Sequence, residues 1–143
     1  MKSDLVTEGE FAGWRCWRED AFEQAAGPFY YRVDERGAVA AFRASAKHMN
    51  LGASVHGGCL MSFADFALFA IAADDIGEDG FAVTAAFTSE FLSGAKEGEL
   101  IEARGEVLRS GKSLIFVRGL ITANGKACLN FSATLKRLQL RES

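Results

Sequence analysis

Residues 49–74 read MNLGASVHGGCLMSFADFALFAIAAD, a glycine-containing polar loop that continues as the most apolar segment of the chain. Within Cys59–Ala73, Ser62 and Asp65 are the two polar residues among fifteen. A helix that is apolar on nearly all sides is a buried helix, so we predict one over about residues 56–76. The segment is too short, and carries its carboxylate too centrally, to span a membrane.

The composition predicts one globular domain. The chain has 143 residues, of which 49% are hydrophobic and 24% charged, enough for a single sizeable core. The net charge of -3 argues against a nucleic-acid-binding protein, which usually has a basic face. Residues 1–11 lack the apolar run of a signal peptide, and the three cysteines have no metal-ligand spacing. We therefore expect a cytoplasmic protein with reduced thiols at Cys16, Cys59 and Cys128.

The first part of the chain has a different pattern from the rest. Residues 3–26 are predicted to be helical, with aromatic side chains that supply apolar surface for docking, and Gly27-Pro28 ends this pattern. We therefore divide the chain into an N-terminal helical segment, residues 1–27, and a main domain, residues 28–143.

Alternating apolar and polar residues predict six strands in the main domain. They cover residues 29–34, 38–44, 82–91, 99–109, 113–123 and 127–136. On the third of them, the alternation places Val83 and Ala85 on the apolar face and Thr84 on the opposite face. One long helix among hairpin-linked strands indicates an α+β fold, in which a curved antiparallel sheet wraps around the helix.

The start of the predicted helix has features of an anion site. His56-Gly57-Gly58 places two glycines where backbone N–H groups lack helical partners, at the positive end of the helix. A ligand oxygen can approach such amides closely, which is how an oxyanion hole is built. A tight loop-to-helix turn that needs glycine explains the same residues.

Asp65 is a carboxylate in the middle of the apolar helix. At about 100° per residue, Asp65 lies about 20° from Gly58 around the helix axis, with Ser62 and Phe69 as neighbours by spacing. Aspartate is rarely buried unless it is paired. It is therefore either a general base or a structural residue held by hydroxyl or backbone donors.

The other polar residues of this region predict little on their own. Asn50 could hold a carbonyl oxygen or a water, or could simply make the turn at Asn50-Leu51-Gly52. His48 and His56, the two histidines, are too few for a recognisable metal site, so we predict no bound metal. There is also no glycine motif for a nucleotide cofactor. Cys59 lies within the apolar helix and is interpreted as a packing residue rather than a nucleophile.

The segment HMNLGASVHGGCLMSFAD, residues 48–65, closely resembles the signature of hotdog-fold acyl-CoA thioesterases of the phenylacetate-pathway (PaaI-like) type. The matching positions are Asn50, Gly52, His56-Gly57-Gly58 and Asp65. The resemblance continues through Val83-Thr84 and covers about residues 28–137. It departs from the family at Gly94, where a proline is common, and at residues 88–90, where an asparagine and aliphatic residues are more usual.

The resemblance implies a thioester hydrolase with a hotdog fold that acts on aryl or medium-chain acyl-CoA. It implies that the Gly57 amide polarises the thioester carbonyl with help from Asn50 and His56. Asp65 would serve as general base on water, or as a nucleophile that forms an anhydride, and Thr84 would orient Asp65 or the water. Substrate contacts would come from Gly58, Ser62 and Phe69.

The family also implies a homodimer or homotetramer with active sites at the subunit interface. We expect no cofactor, no nucleic acid and no membrane among the partners. Two alternatives stay open at this point: a hotdog 3-hydroxyacyl hydratase or dehydratase, and a non-catalytic acyl-CoA-binding protein.

Overall fold

A computed structural model describes residues 1–139 of the chain. Its helices, in chain order, are α1 (Ala21–Ala26), α2 (Gly57–Ile71) and α3 (Ala73–Ile76), with a single 3-10 turn at Ala46–His48. Its strands are β1 (Asp4–Leu5), β2 (Arg15–Cys16), β3 (Tyr30–Asp34), β4 (Gly37–Arg43), β5 (Phe81–Phe91), β6 (Leu100–Ser110), β7 (Leu114–Ala123) and β8 (Lys126–Leu138). No helix in this range is long and apolar enough to cross a membrane.

The strands form one antiparallel sheet of eight strands in the order β1-β2-β3-β4-β6-β7-β8-β5. Short turns connect β3 to β4, β6 to β7 and β7 to β8, whereas the helices α2 and α3 carry the chain across from β4 to β5. The predicted α+β architecture, one long helix against an antiparallel sheet, is confirmed.

The sheet wraps around helix α2. The helix contacts every strand from β3 to β8, and its buried face includes Phe63 and Phe66. Phe63 packs against Phe29 of the segment before β3 and Phe42 of β4, with ring centroids 5.3 and 4.9 Å apart. Each fully buried aromatic side chain of this kind contributes roughly 1.5–3 kcal/mol through the area it removes from water. The burial predicted for the helix is confirmed.

The helix predicted over about residues 56–76 is two helices in the structure, α2 and α3. Helix α2 stops at Ile71, Ala72 has the non-helical φ and ψ of -93° and 9°, and α3 adds one further turn. Gly77 follows α3 with a φ of +80°, a left-handed conformation that glycine adopts without strain.

The N-terminal prediction is largely wrong. Only Ala21–Ala26 of residues 3–26 are helical, and β1 and β2 extend the sheet beyond β3. Gly9 and Gly13 have φ values of +83° and +91°, which are incompatible with a helix. Trp17 stacks on Tyr31 of β3, with ring centroids 5.2 Å apart. The boundary at residue 27 stays a prediction, although strands on both sides of it share the sheet.

Glycine allows helix α2 to approach the middle of the sheet. Gly105 of β6 pairs with Gly119 of β7. A Cβ at Gly105 would lie 2.2 Å from the carbonyl oxygen of Arg118 and 2.8 Å from Cδ1 of Ile71 in α2. Neither the strand backbone nor the buried helix can move away cheaply, so this position admits no side chain.

We expect Gly105→Ala to lower the free energy of unfolding by about 1–3 kcal/mol, because it overpacks the contact between helix and sheet. Chemical denaturation of the two proteins measures the difference. Gly94→Ala is the matched control, since the nearest atom to its Cβ would be Ser54 Oγ at an ordinary 3.5 Å. Equal stability of Gly105→Ala and the wild type would contradict the assigned packing.

Candidate active site

The loop before α2 is held by the side chain of Asn50. Its Oδ1 accepts hydrogen bonds from the backbone N–H groups of Gly52, at 2.8 Å, and Ser54, at 3.1 Å. Met49 and Val55 close the loop by an antiparallel bridge. Asn50 therefore shapes this exposed loop through its oxygen, while its Nδ2 stays available as a donor.

The two glycines at the start of α2 differ in the hydrogen bonding of their backbone N–H groups. His56 is the N-cap, and its Nδ1 accepts a hydrogen bond from the Gly58 N–H at 2.9 Å. Across residues 1–139, the Gly57 N–H meets no hydrogen-bond acceptor. Gly57 thus presents a free donor at the positive end of a 15-residue helix, whereas the Gly58 amide is already used.

An aromatic ring from the end of β5 lies over this helix start. A Cβ at Gly57 would meet Cε1 and Cζ of Phe91 at 3.1 Å, so the ring occupies the space that a larger residue would need. Phe91 is itself 55% exposed. The free amide therefore lies beside an exposed apolar surface that water solvates poorly.

Asp65 and Thr84 meet as a hydrogen-bonded pair. Thr84 Oγ1 donates to Asp65 Oδ1 at 2.6 Å, and both side chains are half-buried. A short bond from a hydroxyl to a carboxylate fixes the carboxylate and leaves its second oxygen for other partners. The structure therefore brings together two of the residues that the sequence motif predicted.

The faces predicted for β5 are reversed. Ala82 is buried and Thr84 faces α2, whereas Val83 and Ala85 are exposed. A register irregularity between Thr84 and Ala86 then shifts the alternation, so that Phe87 is half-buried. A β-bulge of this kind inserts one residue and re-aims the side chains that follow it.

Two cavities adjoin Asp65. One, of about 400 Å³, is lined by Phe22, Met61, Ser62 and Phe87 together with acidic residues. The other, of about 320 Å³, is lined by Trp17, Phe69 and Thr84 among others. Glu23 of α1 borders both cavities, as does Asp65. Apolar walls around a few polar groups are typical of small-molecule sites.

The Glu23 carboxyl borders both cavities and has a raised pKa. Asp20 caps helix α1 by accepting the Glu23 N–H at 2.9 Å. Burial, followed by the charges of Asp20 and Asp65, raises the pKa of the Glu23 carboxyl to about 8. At neutral pH the cavities are therefore bordered by a neutral carboxylic acid.

The predicted site residues fall into two groups along α2. Asn50, His56, Gly57 and Gly58 cluster at its N-terminus, and Asp65 lies further along. Ser62 lines the larger cavity, but its Oγ donates to the Gly58 carbonyl at 2.8 Å.

Phe69 and Thr84 border the smaller cavity beside Asp65. At about 1.5 Å per residue, Asp65 is about 12 Å along the axis from Gly57 in the same chain.

The other reactive groups of the region do not form a second centre. Burial raises the pKa of the Cys59 thiol to about 11, so it holds its proton and is a poor nucleophile. Within residues 1–139, no three His, Cys, Asp or Glu side chains are grouped as metal ligands would be.

Sequence reasoning missed three residues of the site. Glu23 was assigned no role, although Asp20 three positions before it is a recognisable helix-start signal. The contact of the Phe91 ring with the Gly57 position was not predicted. His48 is buried, and its Nε2 donates to the Ala26 carbonyl at 2.9 Å, which ties α1 to the loop before α2.

The geometry agrees with the comparisons to known proteins. Residues 52–128 match the sequence profile of the thioesterase superfamily.

The chain belongs to the thioesterase superfamily.

This superfamily member is 33% identical over 91 residues to the Pseudomonas aeruginosa protein named "Putative esterase PA0474", a match covering 63% of this chain and 68% of that one. The PaaI protein of the E. coli phenylacetic acid degradation operon superimposes with a TM-score of 0.72 at 27% identity, covering 85% of this chain and 87% of that one. A hypothetical thioesterase from Streptococcus pneumoniae TIGR4, solved with coenzyme A, has a TM-score of 0.70 at 19% identity. That match covers 83% of this chain and 93% of the other, and it concerns the fold alone. The predicted PaaI-like resemblance and hotdog fold are confirmed.

We expect Glu23→Gln to stabilise this thioesterase-superfamily protein increasingly as the pH rises from about 5 to about 8. Between its ordinary pKa of 4.5 and the raised value of about 8, the folded protein holds a proton that the unfolded chain releases. Wild-type stability therefore falls across this window, and a neutral glutamine has no such dependence.

Melting temperatures at several pH values measure the gap between the two proteins, which should stop widening above a pH of about 8. Glu19→Gln, at an exposed position of the same segment, is the control and should show no widening. A constant gap for Glu23→Gln would contradict the raised pKa.

Proposed function

We propose that the protein is an acyl-CoA thioesterase that hydrolyses aryl or medium-chain acyl thioesters to the free acid and coenzyme A. The observation that carries the proposal is the Asp65 carboxylate, fixed by Thr84 at 2.6 Å beside cavities with apolar walls. The free N–H of Gly57 at the helix start supports it. The likeness to the PaaI protein, and the coenzyme A in the more distant thioesterase, agree with this substrate class. A cytoplasmic location stays a prediction.

The proposed reaction uses water as nucleophile. Asp65 takes a proton from water as the water oxygen attacks the thioester carbonyl carbon. The Gly57 N–H then donates to the oxyanion that forms, aided by the Nδ2 of Asn50. When the carbon–sulfur bond breaks, the sulfur leaves as a thiolate, whose conjugate thiol has a pKa of about 8.5 and so needs no strong acid.

One subunit holds both groups too far apart to act on one carbonyl. Gly57 and Asp65 are about 12 Å apart along α2, whereas base and oxyanion donor must both lie within a few ångströms of the reacting carbon. We therefore propose that each site combines Asp65 of one subunit with Gly57 and Asn50 of another, in a homodimer or homotetramer.

The free edge of the sheet supports this assembly. Strand β5 has 11 residues and pairs with β8 along one edge, and no strand of residues 1–139 pairs with its other edge. A long unpaired edge is a ready template for pairing with a second chain. The exposed Phe91 and Leu92 lie at the end of this strand, and Phe91 adjoins Gly57. Pairing of two chains along β5 would therefore bring a Gly57 region next to the neighbouring subunit.

The alternatives differ in what happens to the thioester. A hydratase or dehydratase leaves the thioester intact, and a binding protein releases no thiol. The hydratase also needs a histidine free to move protons, but His56 Nδ1 is engaged in capping α2. Hydrolysis is therefore the chemistry that this set of groups favours.

The first test is thiol release from a panel of aromatic and aliphatic acyl-CoA substrates, with wild type beside Asp65→Asn. We expect the wild type to release thiol and the variant to lose about 10²–10⁴-fold in kcat, because it lacks the base. Circular dichroism verifies that the variant is folded. Binding of acyl-CoA without thiol release by the wild type would overturn the proposal in favour of a hydratase or a binding protein.

Gly57→Pro tests the oxyanion role, because proline removes the N–H yet fits the first position of a helix. His56 has φ and ψ of -57° and 133°, which suit a residue before proline. We expect about a 10²–10³-fold loss of kcat. Gly57→Ala displaces the Phe91 ring in the same way but keeps the N–H, and is the control.

Gly57→Pro and Asp65→Asn subunits, each inactive alone, are mixed in equal amounts and allowed to exchange as dimers. About half of the dimers are then mixed, and each mixed dimer has one intact site of two, so about a quarter of the wild-type activity should return. No recovery in verified mixed oligomers would contradict the shared site.

A further inference from the structure

A second carboxyl group belongs to the same pair of cavities as Asp65. Glu23 and Asp65 border both the 400 Å³ and the 320 Å³ cavity, although they lie on different helices. No ion pair joins Glu23 to a lysine or arginine among residues 1–139. The proposed thioester hydrolysis makes no use of this group.

Helix α1 is anchored at both ends, which fixes where Glu23 lies. Asp20 caps its start. At its end, His48 Nε2 donates to the Ala26 carbonyl at 2.9 Å, and Lys47 Nζ donates to the Ala25 carbonyl at 3.2 Å. These contacts hold a six-residue helix that buries none of its own side chains fully.

The two carboxyl groups have different surroundings. Glu23 is neutral because burial and two neighbouring carboxylates raise its pKa to about 8. Asp65 Oδ1 accepts the Thr84 hydroxyl at 2.6 Å. A carboxyl that keeps its proton, beside a second carboxyl that a hydroxyl donor holds at the same cavity, is an arrangement that can supply an acid and a base.

A general acid matters most for a poor leaving group. A thiolate leaves readily, since its thiol has a pKa of about 8.5. An alkoxide is far more basic, as water with a pKa of about 15.7 illustrates, and must be protonated as it leaves. A general acid is thus dispensable for a thioester but necessary for an alkyl oxygen ester.

We propose that this site also hydrolyses oxygen esters of alkyl alcohols, with Glu23 as the general acid that protonates the leaving oxygen. The inference rests on the proposed function, because Asp65 is the base in both reactions.

The proposed steps conserve every proton. Asp65 takes a proton from water while the water oxygen bonds to the ester carbonyl carbon. The carbon–oxygen bond to the alcohol then breaks, its electron pair leaves with the alcohol oxygen, and that oxygen takes the Glu23 proton. The proton on Asp65 returns to Glu23 through the shared cavity, and the products are one acid and one alcohol.

The experiment compares two small substrates that differ in one atom. The acyl group that is best in the acyl-CoA panel is supplied as its ethyl ester and as its S-ethyl thioester, and acid release measures kcat/KM for both. Glu23→Gln removes the proton donor and keeps the side-chain shape. Glu19→Gln, at an exposed position outside the cavities, is the matched control.

We expect Glu23→Gln to lower kcat/KM for the oxygen ester by about 10²–10⁴-fold, and for the thioester by less than about tenfold. Glu19→Gln should leave the ratio of the two rates within about twofold of wild type. Glu23→Met, which also lacks a proton to give, serves if Glu23→Gln does not fold. A purely structural role for Glu23 would lower both rates equally.

The pH profile gives a second readout. The wild-type rate on the oxygen ester should fall as the pH rises through about 8, where Glu23 loses its proton, and the variant should lack this fall. The charged groups that act on Glu23 are Asp20, the N-cap of α1, and Asp65 on α2. Lys47 of the 3-10 turn donates to the Ala25 carbonyl near the end of α1. Met1 also lines the smaller cavity, and its amino group donates to the carbonyls of Gly77, Glu78 and Gly80.

Three outcomes overturn the inference. The first is that the wild type hydrolyses the thioester but not the oxygen ester. The second is that Glu23→Gln loses the same factor in kcat/KM on both substrates. The third is that the rate of Glu23→Gln on the oxygen ester still falls as the pH rises through about 8. Wild type inactive on every thioester, acyl-CoA included, would instead remove the proposed function itself.

Discussion

Helix α2 is stable in water only when a sheet covers it, because its side chains are apolar on nearly every side. Strands from β3 to β8 provide that cover, and the pairing of Gly105 with Gly119 lets the helix lie close to the sheet. The one carboxylate within this apolar helix then needs a polar partner, which β5 supplies as Thr84. The same sheet therefore buries the helix and, through Thr84, fixes the side chain of Asp65.

The fold was largely predictable because its signals are local. A continuous apolar run indicates a buried helix, and a two-residue period indicates a strand, whatever the rest of the chain does. The elements from β3 onward therefore lie close to their predicted positions. The faces of β5 were not predictable by the same rule, because one bulge between Thr84 and Ala86 reverses the alternation. The N-terminal segment was predicted wrongly because aromatic residues serve a helix and an irregular docking strand equally well.

The candidate site residues were predicted mainly from a motif that is contiguous in sequence. Asn50, His56, Gly57 and Asp65 lie within 16 consecutive residues, and the helical period relates the last of them to the start of the helix. Glu23 lies 42 residues before Asp65, and the contacts that anchor α1, among them those of His48 and Lys47, bring the two to one cavity. No periodic pattern in the sequence predicts that Glu23 and Asp65 lie at the same cavity.

The eight-residue separation of Gly57 and Asp65 also limits how this chain can diverge. One inserted or deleted residue between them would turn Asp65 by about 100° around the helix axis, away from Thr84 and into the packed sheet. A change of length in this segment would therefore separate Asp65 from Thr84, whereas substitutions on its cavity side would alter the pocket without moving the base. New substrate preferences in descendants of this protein should arise by replacement of side chains along α2, and changes in chain length should be confined to the surface loops.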